Sequence, residues 1–566
     1  VTAAPPRRWL ERRFAGLVVA AFAVALYAPT GCDRRVQYDD WWLWSDTSPL
    51  RHPTAATFHD VFFALDHATR HPLGGEYLPV RDVSVAADMA IWGDDDRGPH
   101  LTQLLLVAAC VLAFGAMLVR FGVPPAVAWL GMLIWAAHPI HVESFAWLSE
   151  RKGVLAALLT AATALAWLRF RMGGRAGWLA VAAIAAVAAT WSKAPAMVGF
   201  AAIAVFDFAM LPAASRRWLA IAVVGAATGL AAIPVVSVAG DAHVIGAAEA
   251  GGDSEGRVAT ALGAAGHYAE SLALVRAPAV TYPIDTDGPD GVELVLGAAV
   301  VLGSAAGVAV WLRRRQRGEP KPWLGAALLG WAWINYLPSS HVLLPVHVVV
   351  ADRLALVWSL APCIGVAWVL DLLRPPLRLV ASAAIVAALA IATLHGEAAW
   401  ASSIELLDRA VTSNPRDVQL VTSLAHEYRD AGQLDDAIAS IDRGLAALPD
   451  EPHLLDERAR LMATAGDPAG ALVFAERAAV GGAASALDFE ARLLANAGRA
   501  REALPLAERA VDKHPELGAY QRTLAFALVG AGRAREAIAP MVVAVLRDPK
   551  PDDAALIETV FRAVAR

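Results

Sequence analysis

The sequence predicts an all-α chain: a polytopic transmembrane helix bundle followed by a carboxy-terminal α-solenoid of helical repeats. Three observations predict it. Hydrophobic residues make up 57% of the 566 residues and charged residues only 18%, against about 45–50% apolar in soluble domains. Long apolar runs alternate with short basic or Trp-rich breaks up to about residue 396. Beyond it the apolar runs shorten, charges recur every few residues, and similar phrases return at a fixed period. The expected division is therefore 1–396 and 397–566.

A span needs about 20 mostly apolar residues. Eleven stretches qualify, roughly 14–30, 101–120, 123–139, 153–169, 177–191, 194–211, 218–238, 291–311, 322–338, 353–371 and 378–395. They are too long and too uniformly apolar for the alternating strands of a membrane barrel. Arg7, Arg8, Arg12 and Arg13 precede the first stretch. No small-x-small cleavage site follows before Cys32, so a retained helix is expected rather than a signal peptide. Arginine clusters then mark the inside connections at 120–123, 169–175, 213–218, 313–321 and 372–378. Eleven spans put the carboxy terminus outside; an even number would put the repeats inside.

The outside connections are longer. Residues 31–100 mix Trp41, Trp42, Trp44, Phe58, Phe62, Phe63, Tyr77 and Trp92 with polar residues, the pattern of interfacial helices lying on a membrane. A second long connection runs from about 240 to 288. A third, around 339–352, carries His341, His347 and Asp352. The working surface is expected on this side.

The repeats come next. Gly432, Gly466, Gly498 and Gly532 recur at spacings of 34, 32 and 34, and Ala437, Ala471, Ala503 and Ala537 follow each by five. Small residues there let two helices approach. Pro415, Pro449, Pro515 and Pro549 keep the same period. This is the tetratricopeptide pattern, here four repeats, which predicts a protein or peptide partner or self-association.

Several side chains stand where chemistry is expected. Asp39 and Asp40 follow the first span; paired carboxylates at a membrane surface serve as a general base or clamp a metal. Residues 138–153, "HPIHVESFAWLSERKG", place His138, His141, Glu143, Arg151 and Lys152 at the end of an apolar run. Such groups are costly in lipid and belong in a cavity or in water. Lys193, Arg276 near Tyr282, and Arg353 after Asp352 add cations on the same side, able to hold a lipid phosphate. Asp94, Asp95 and Asp96 read as a polar break. A net charge of −6 and the absence of a basic face give no support for nucleic acid. Cys32, Cys110 and Cys363 make neither a metal spacing nor a disulfide framework. No Walker, dinucleotide, zincin or serine-elbow motif is present. The energy for any transfer must then come from an activated, lipid-linked substrate.

These residues bring a resemblance into view. "YDD" (38–40), "YLP" (77–79), "WG" (92–93), "GPHL" (98–101), "HPIHVESFAWLSERKG", "SKAP" (192–195), "YPID" (282–285) and "NYLPSSHVLLPVHVVVADR" (335–353) occur in order ahead of the repeats. Together they resemble the tetratricopeptide-containing transmembrane O-mannosyltransferase-like family, membrane glycosyltransferases of the C-type fold. The resemblance implies a polyprenyl-phosphate-linked sugar as co-substrate and transfer to a hydroxyl of protein or another acceptor. It places the candidate base on Asp40 or Asp39, and Glu143 and His141 in the histidine–proline segment. Arg151, Lys152, Lys193 and Arg353 would then lie near the donor phosphate. A divalent cation is an open possibility. Three positions depart from the family pattern: Leu78, Gly153 and Gln103. The Arg- and Ala-rich composition points to a bacterial inner membrane and a periplasmic working face. The rival reading is a non-catalytic assembly or folding factor that binds proteins through its repeats; a transporter is a weaker one.

Overall fold

A computed structural model describes residues 6–32, 40–45, 47–95, 97–212, 217–241, 254–274, 279–342, 348–551 and 553–565. Among the described residues every regular element is helical. The chain forms two compact units, Val1–Arg409 and Ala410–Arg566.

In the first unit a helix occupies each of the eleven expected stretches. Five are long and apolar enough to cross a bilayer: Arg97–Arg120, Leu148–Gly173, Arg217–Gly240, Gly291–Gln316 and Pro375–Ala401. Two of the others are interrupted where the sequence predicted unbroken runs, for local reasons. The run expected at 123–139 becomes Pro125–Ala137 and Pro139–Ala146, bent by 65°. Pro139 supplies no amide proton and pushes His138 into extended backbone, φ −77° and ψ 129°. The run expected at 353–371 is α-helical only from Leu360, after a single 3-10 turn at Asp352–Leu354. This break carries Asp352 and Arg353.

One expectation is corrected. Residues 240–288 read as a loop, yet Ser254–Ala273 forms a 20-residue helix. His267, Glu270 and scattered glycines lower its hydropathy and hid it. It packs along Gly291–Gln316, and glycines set the spacing. A Cβ on Gly266 would lie 1.7 Å from the Glu293 carbonyl oxygen, and one on Gly297 would lie 1.9 Å from that of Leu262. Small residues at a crossing let two backbones touch.

The 31–100 segment also differs from a set of helices lying on a surface. It has a small core of its own, in which Leu43, Trp44, Leu50, Val61, Leu73 and Val85 are buried with Leu148. Arg70 organises it. The wholly buried guanidinium donates to the carbonyls of Ala64 (2.7 Å), Asp60 (2.8 Å) and Val61 (2.8 Å), satisfying the orphan end of the Ala55–Phe63 helix. A Thr54–Thr57 capping box closes the other end. Asp94, read as part of a polar break, pairs with Arg51.

The second unit is a tetratricopeptide-type solenoid. Four hairpins, beginning at Val418, Pro452, Ala484 and Gly518, are followed by a last helix, Asp553–Ala565. Gly432, Gly466, Gly498 and Gly532 turn each hairpin at φ of 78°, 88°, 77° and 81°, a left-handed conformation that side chains resist. Ala437, Ala471, Ala503 and Ala537 are completely buried, as close helix approach requires.

Candidate functional site

The site grows from the segment that Pro139 unwinds. Beyond the bend, Val142–Ala146 carries Glu143, and the 3-10 turn Leu148–Glu150 carries Ser149 and Glu150. The late break at 352–354 meets it from 210 positions away. The Arg353 amide donates to Glu143 Oε2 at 2.7 Å, and its guanidinium pairs with Glu143 Oε1. Arg353 Nε also lies 3.8 Å from Glu150 Oε1, while Lys193 Nζ meets Glu150 Oε2 at 2.6 Å. Lys152 pairs with Glu76 at 2.7 Å, and Arg81 reaches the same oxygen at 3.0 Å. Three acids (Glu76, Glu143, Glu150) thus face four bases (Arg81, Lys152, Lys193, Arg353). Buried charges persist only when paired in this way.

Asp40 begins the Asp40–Trp44 helix and is buried. Its Oδ1 accepts from the Ser149 amide at 2.9 Å and hydroxyl at 2.6 Å. It is thereby fixed to the residue next to Glu150. Asp352 Oδ2 accepts from the Tyr282 hydroxyl at 2.8 Å. Burial, and Glu143 after it, push the Asp352 carboxyl well above the usual carboxylate range; Tyr282 and Arg353 offset only part. Burial also tends to raise Glu76, but Lys152 and Arg81 outweigh it and hold this carboxyl at about 2.

Other expected residues are held elsewhere. Arg151 is wholly buried, paired with Asp88, donating to the Pro99 carbonyl at 2.6 Å and standing 5.1 Å from the Trp44 ring. His138 is buried between backbone partners, and His141 between a backbone carbonyl and the Ser359 hydroxyl. His138 Nδ1 accepts from the Ile140 amide at 3.2 Å, which leaves Nε2 to donate to Leu272 at 3.3 Å. His141 Nδ1 donates to the Trp135 carbonyl at 2.7 Å, so Nε2 accepts from the Ser359 hydroxyl at 2.9 Å. His341 Nε2 lies 2.9 Å from the Val349 carbonyl oxygen, on left-handed backbone at φ 59°. Asp39, Arg276 and His347 lie outside the described residues. Among the described residues no three metal-ligating side chains converge.

Two cavities lie in this unit, and the smaller touches the charged group. A cleft of about 40 Å³ is lined by Gly153, Thr160, Lys193, Asn335 and Arg353. An apolar groove of about 1020 Å³ is lined by Tyr268, Leu328, Trp333, Tyr336, Trp358 and Val366, with His138 among its few polar groups. Cleft and groove draw walls from the same two segments, 328–336 and 353–358.

No family profile matches the chain, and no curated protein matches it. Solved structures do. A crystal structure of MamA is 18% identical, covering 26% of this chain and 81% of its own, with a TM-score of 0.23. A tetratricopeptide repeat protein from Parabacteroides merdae is 18% identical over 30% of this chain and 71% of its own, TM-score 0.25. TTC0263 from Thermus thermophilus is 19% identical over 30% and 93%, TM-score 0.24. The scores are low, and the repeat architecture rests on this chain's own period and hairpins.

Sequence reasoning missed Glu76, Asp88, Ser149 and Glu150. Glu150 stands beside Arg151 in the segment singled out for its charges, and Glu76 stands beside Tyr77. A balanced count of acids and bases would have drawn both in. Gly153 lies close against two of these charges: a Cβ there would sit 2.8 Å from Glu150 Oε2 and 3.4 Å from Lys193 Nζ. Glu150 already supplies a carboxylate to Lys193 at that place.

Proposed function

We propose that the chain is an integral membrane glycosyltransferase of the bacterial inner membrane. It moves a sugar from a polyprenyl-phosphate donor to a hydroxyl on the non-cytoplasmic face. The observation that carries this reading is the shared wall between the long apolar groove and the charged cleft. A groove of this size suits an isoprenoid chain, and Lys193 and Arg353, which line the cleft rather than the groove, suit the phosphate. The bilayer assignment is supported by length. Arg151 and Arg171 end one helix 20 residues apart, about 30 Å, which is the thickness of a hydrocarbon core.

In the reaction, Asp40 or Asp39 takes the proton of the acceptor hydroxyl as its oxygen attacks the anomeric carbon. The bond from that carbon to the phosphate oxygen breaks, and the polyprenyl phosphate leaves with the electron pair. Arg353 and Lys193 stabilise it. The cleft has room for a few waters, and in donor binding the two bases exchange Glu143 and Glu150 for phosphate oxygens. The repeats hold a protein partner, the acceptor or an accessory chain.

A second reading is favoured by the same ion pairs. With every acid in the group already matched, the unit is also stable as a non-catalytic anchor for repeats that bind proteins. The experiment separates the two. Full-length protein in lipid is given a panel of polyprenyl-phosphate sugars and periplasmic protein, beside Asp40→Asn and Glu143→Gln. Transfer that vanishes in a folded acid variant supports the enzyme. Neither transfer nor donor binding by intact protein leaves the anchor.

A further inference from the structure

A second charged cluster lies at the other end of the Arg151–Gly173 helix, and the proposed transfer does not use it. Four cations gather there around one ring and one acid. Arg171 pairs with the buried Asp207 (Nε to Oδ2 3.1 Å) and donates to the Pro212 carbonyl at 2.8 Å. Lys321 donates to the carbonyls of Phe208 and Leu211, the latter at 3.1 Å. Arg217, Arg315 and Lys321 stand 5.2, 5.6 and 4.6 Å from the centre of the Phe208 ring.

This group is out of balance, unlike the matched acids and bases at the other end. Desolvation lowers the Lys321 ammonium, and Arg217 next to it lowers it further. Arg217 is the informative residue. It is 6% exposed, and its Nη1 is buried with no acceptor among the described residues. A buried charged donor without an acceptor is costly; an anion at this point would relieve both the orphan donor and the mutual repulsion.

We propose that this cluster binds the phosphate of an anionic phospholipid headgroup. A lipid source is favoured by the surroundings. Arg217, Arg315 and Lys321 each also face a tryptophan, Trp218 at 5.1 Å, Trp311 at 5.9 Å and Trp323 at 5.4 Å. Trp218 and Leu219 are largely exposed. Tryptophans of this kind mark the headgroup level of a bilayer, and basic pockets between helices on the cytoplasmic side suit acidic headgroups. The inference rests on the bilayer part of the proposed function and is independent of sugar transfer.

The test uses the full chain in neutral detergent, with dioleoyl phosphatidylglycerol, dioleoyl phosphatidylcholine or inorganic phosphate added. Thermal midpoint and lipid retention in native mass spectrometry are read. Phosphatidylglycerol is expected to bind about tenfold tighter than phosphatidylcholine. Arg217→Gln and Arg315→Gln are each expected to remove most of that preference, and Arg378→Gln, paired with Asp371, to leave it intact. Arg315 is exposed, so its variant reports even when the Arg217 variant misfolds. Equal binding of the two lipids, or unchanged preference in Arg315→Gln, overturns the proposal. Equal stabilisation by inorganic phosphate overturns the lipid assignment. Alkaline carbonate extraction of membranes keeps the two failures apart. Release of the chain sinks the bilayer reading, whereas retention without lipid preference sinks this proposal alone.

Discussion

Glu76 is the residue whose ionisation the fold sets most plainly. Its carboxyl falls to about 2 from an ordinary 4.5 because Lys152 and Arg81 outweigh its burial. A carboxyl depressed in the folded state contributes stability above its unfolded value, and the contribution is lost as pH falls through the folded one. The thermal midpoint is therefore expected to drop between about pH 5 and about pH 2 by more in the native chain than in Glu76→Gln. Parallel melting curves for the two would show that the pairing adds nothing. Residue-level legibility was uneven. Glu143, Lys193 and Arg353 were legible as charges in apolar company. Their pairing was not, since contacts across 210 positions leave no periodic trace. Arg151 was placed near a donor phosphate by the family resemblance. The structure occupies it with Asp88, a residue that helical spacing hid inside Pro79–Trp92.

At the scale of elements, the tightest joint is the crossing of Ser254–Ala273 with Gly291–Gln316. Gly266→Ala is expected to push the helices apart, because the new carbon meets backbone rather than a movable side chain. Overpacking of this kind costs about 1–3 kcal/mol, and a lowered thermal midpoint in detergent would register it. Gly303→Ala, where a Cβ meets nothing within 4 Å, serves as the control; equal effects from the two would refute the joint. The sequence showed the bundle helices as apolar runs and the hairpins as a glycine–alanine period. It did not show where helices stop short. Pro139 bends one run, and the 352–354 turn delays another. Both interruptions carry candidate-site residues, as the proposed bilayer setting expects, since irregular backbone there survives only where protein or water covers it.

For the whole molecule, the charges sort into two layers. One is the matched group around Glu143 and Glu150; the other is the unmatched cluster around Phe208. The topology proposed above rests on that asymmetry. In a Cys32→Ser background, with Cys110 and Cys363 buried, Arg175→Cys is expected to react with an impermeant thiol reagent only from the cytoplasmic side. Ala68→Cys is expected to react only from the opposite side. Labelling of both from one side would refute the arrangement. The Glu143–Arg353 pair adds a consequence for biosynthesis. The ribosome releases Glu143 long before its counter-charge exists. Until Arg353 has been translated, the early helices must keep that carboxylate hydrated or protonated at the membrane boundary. A chain stalled before 353 would thus carry an unneutralised acid at its future core.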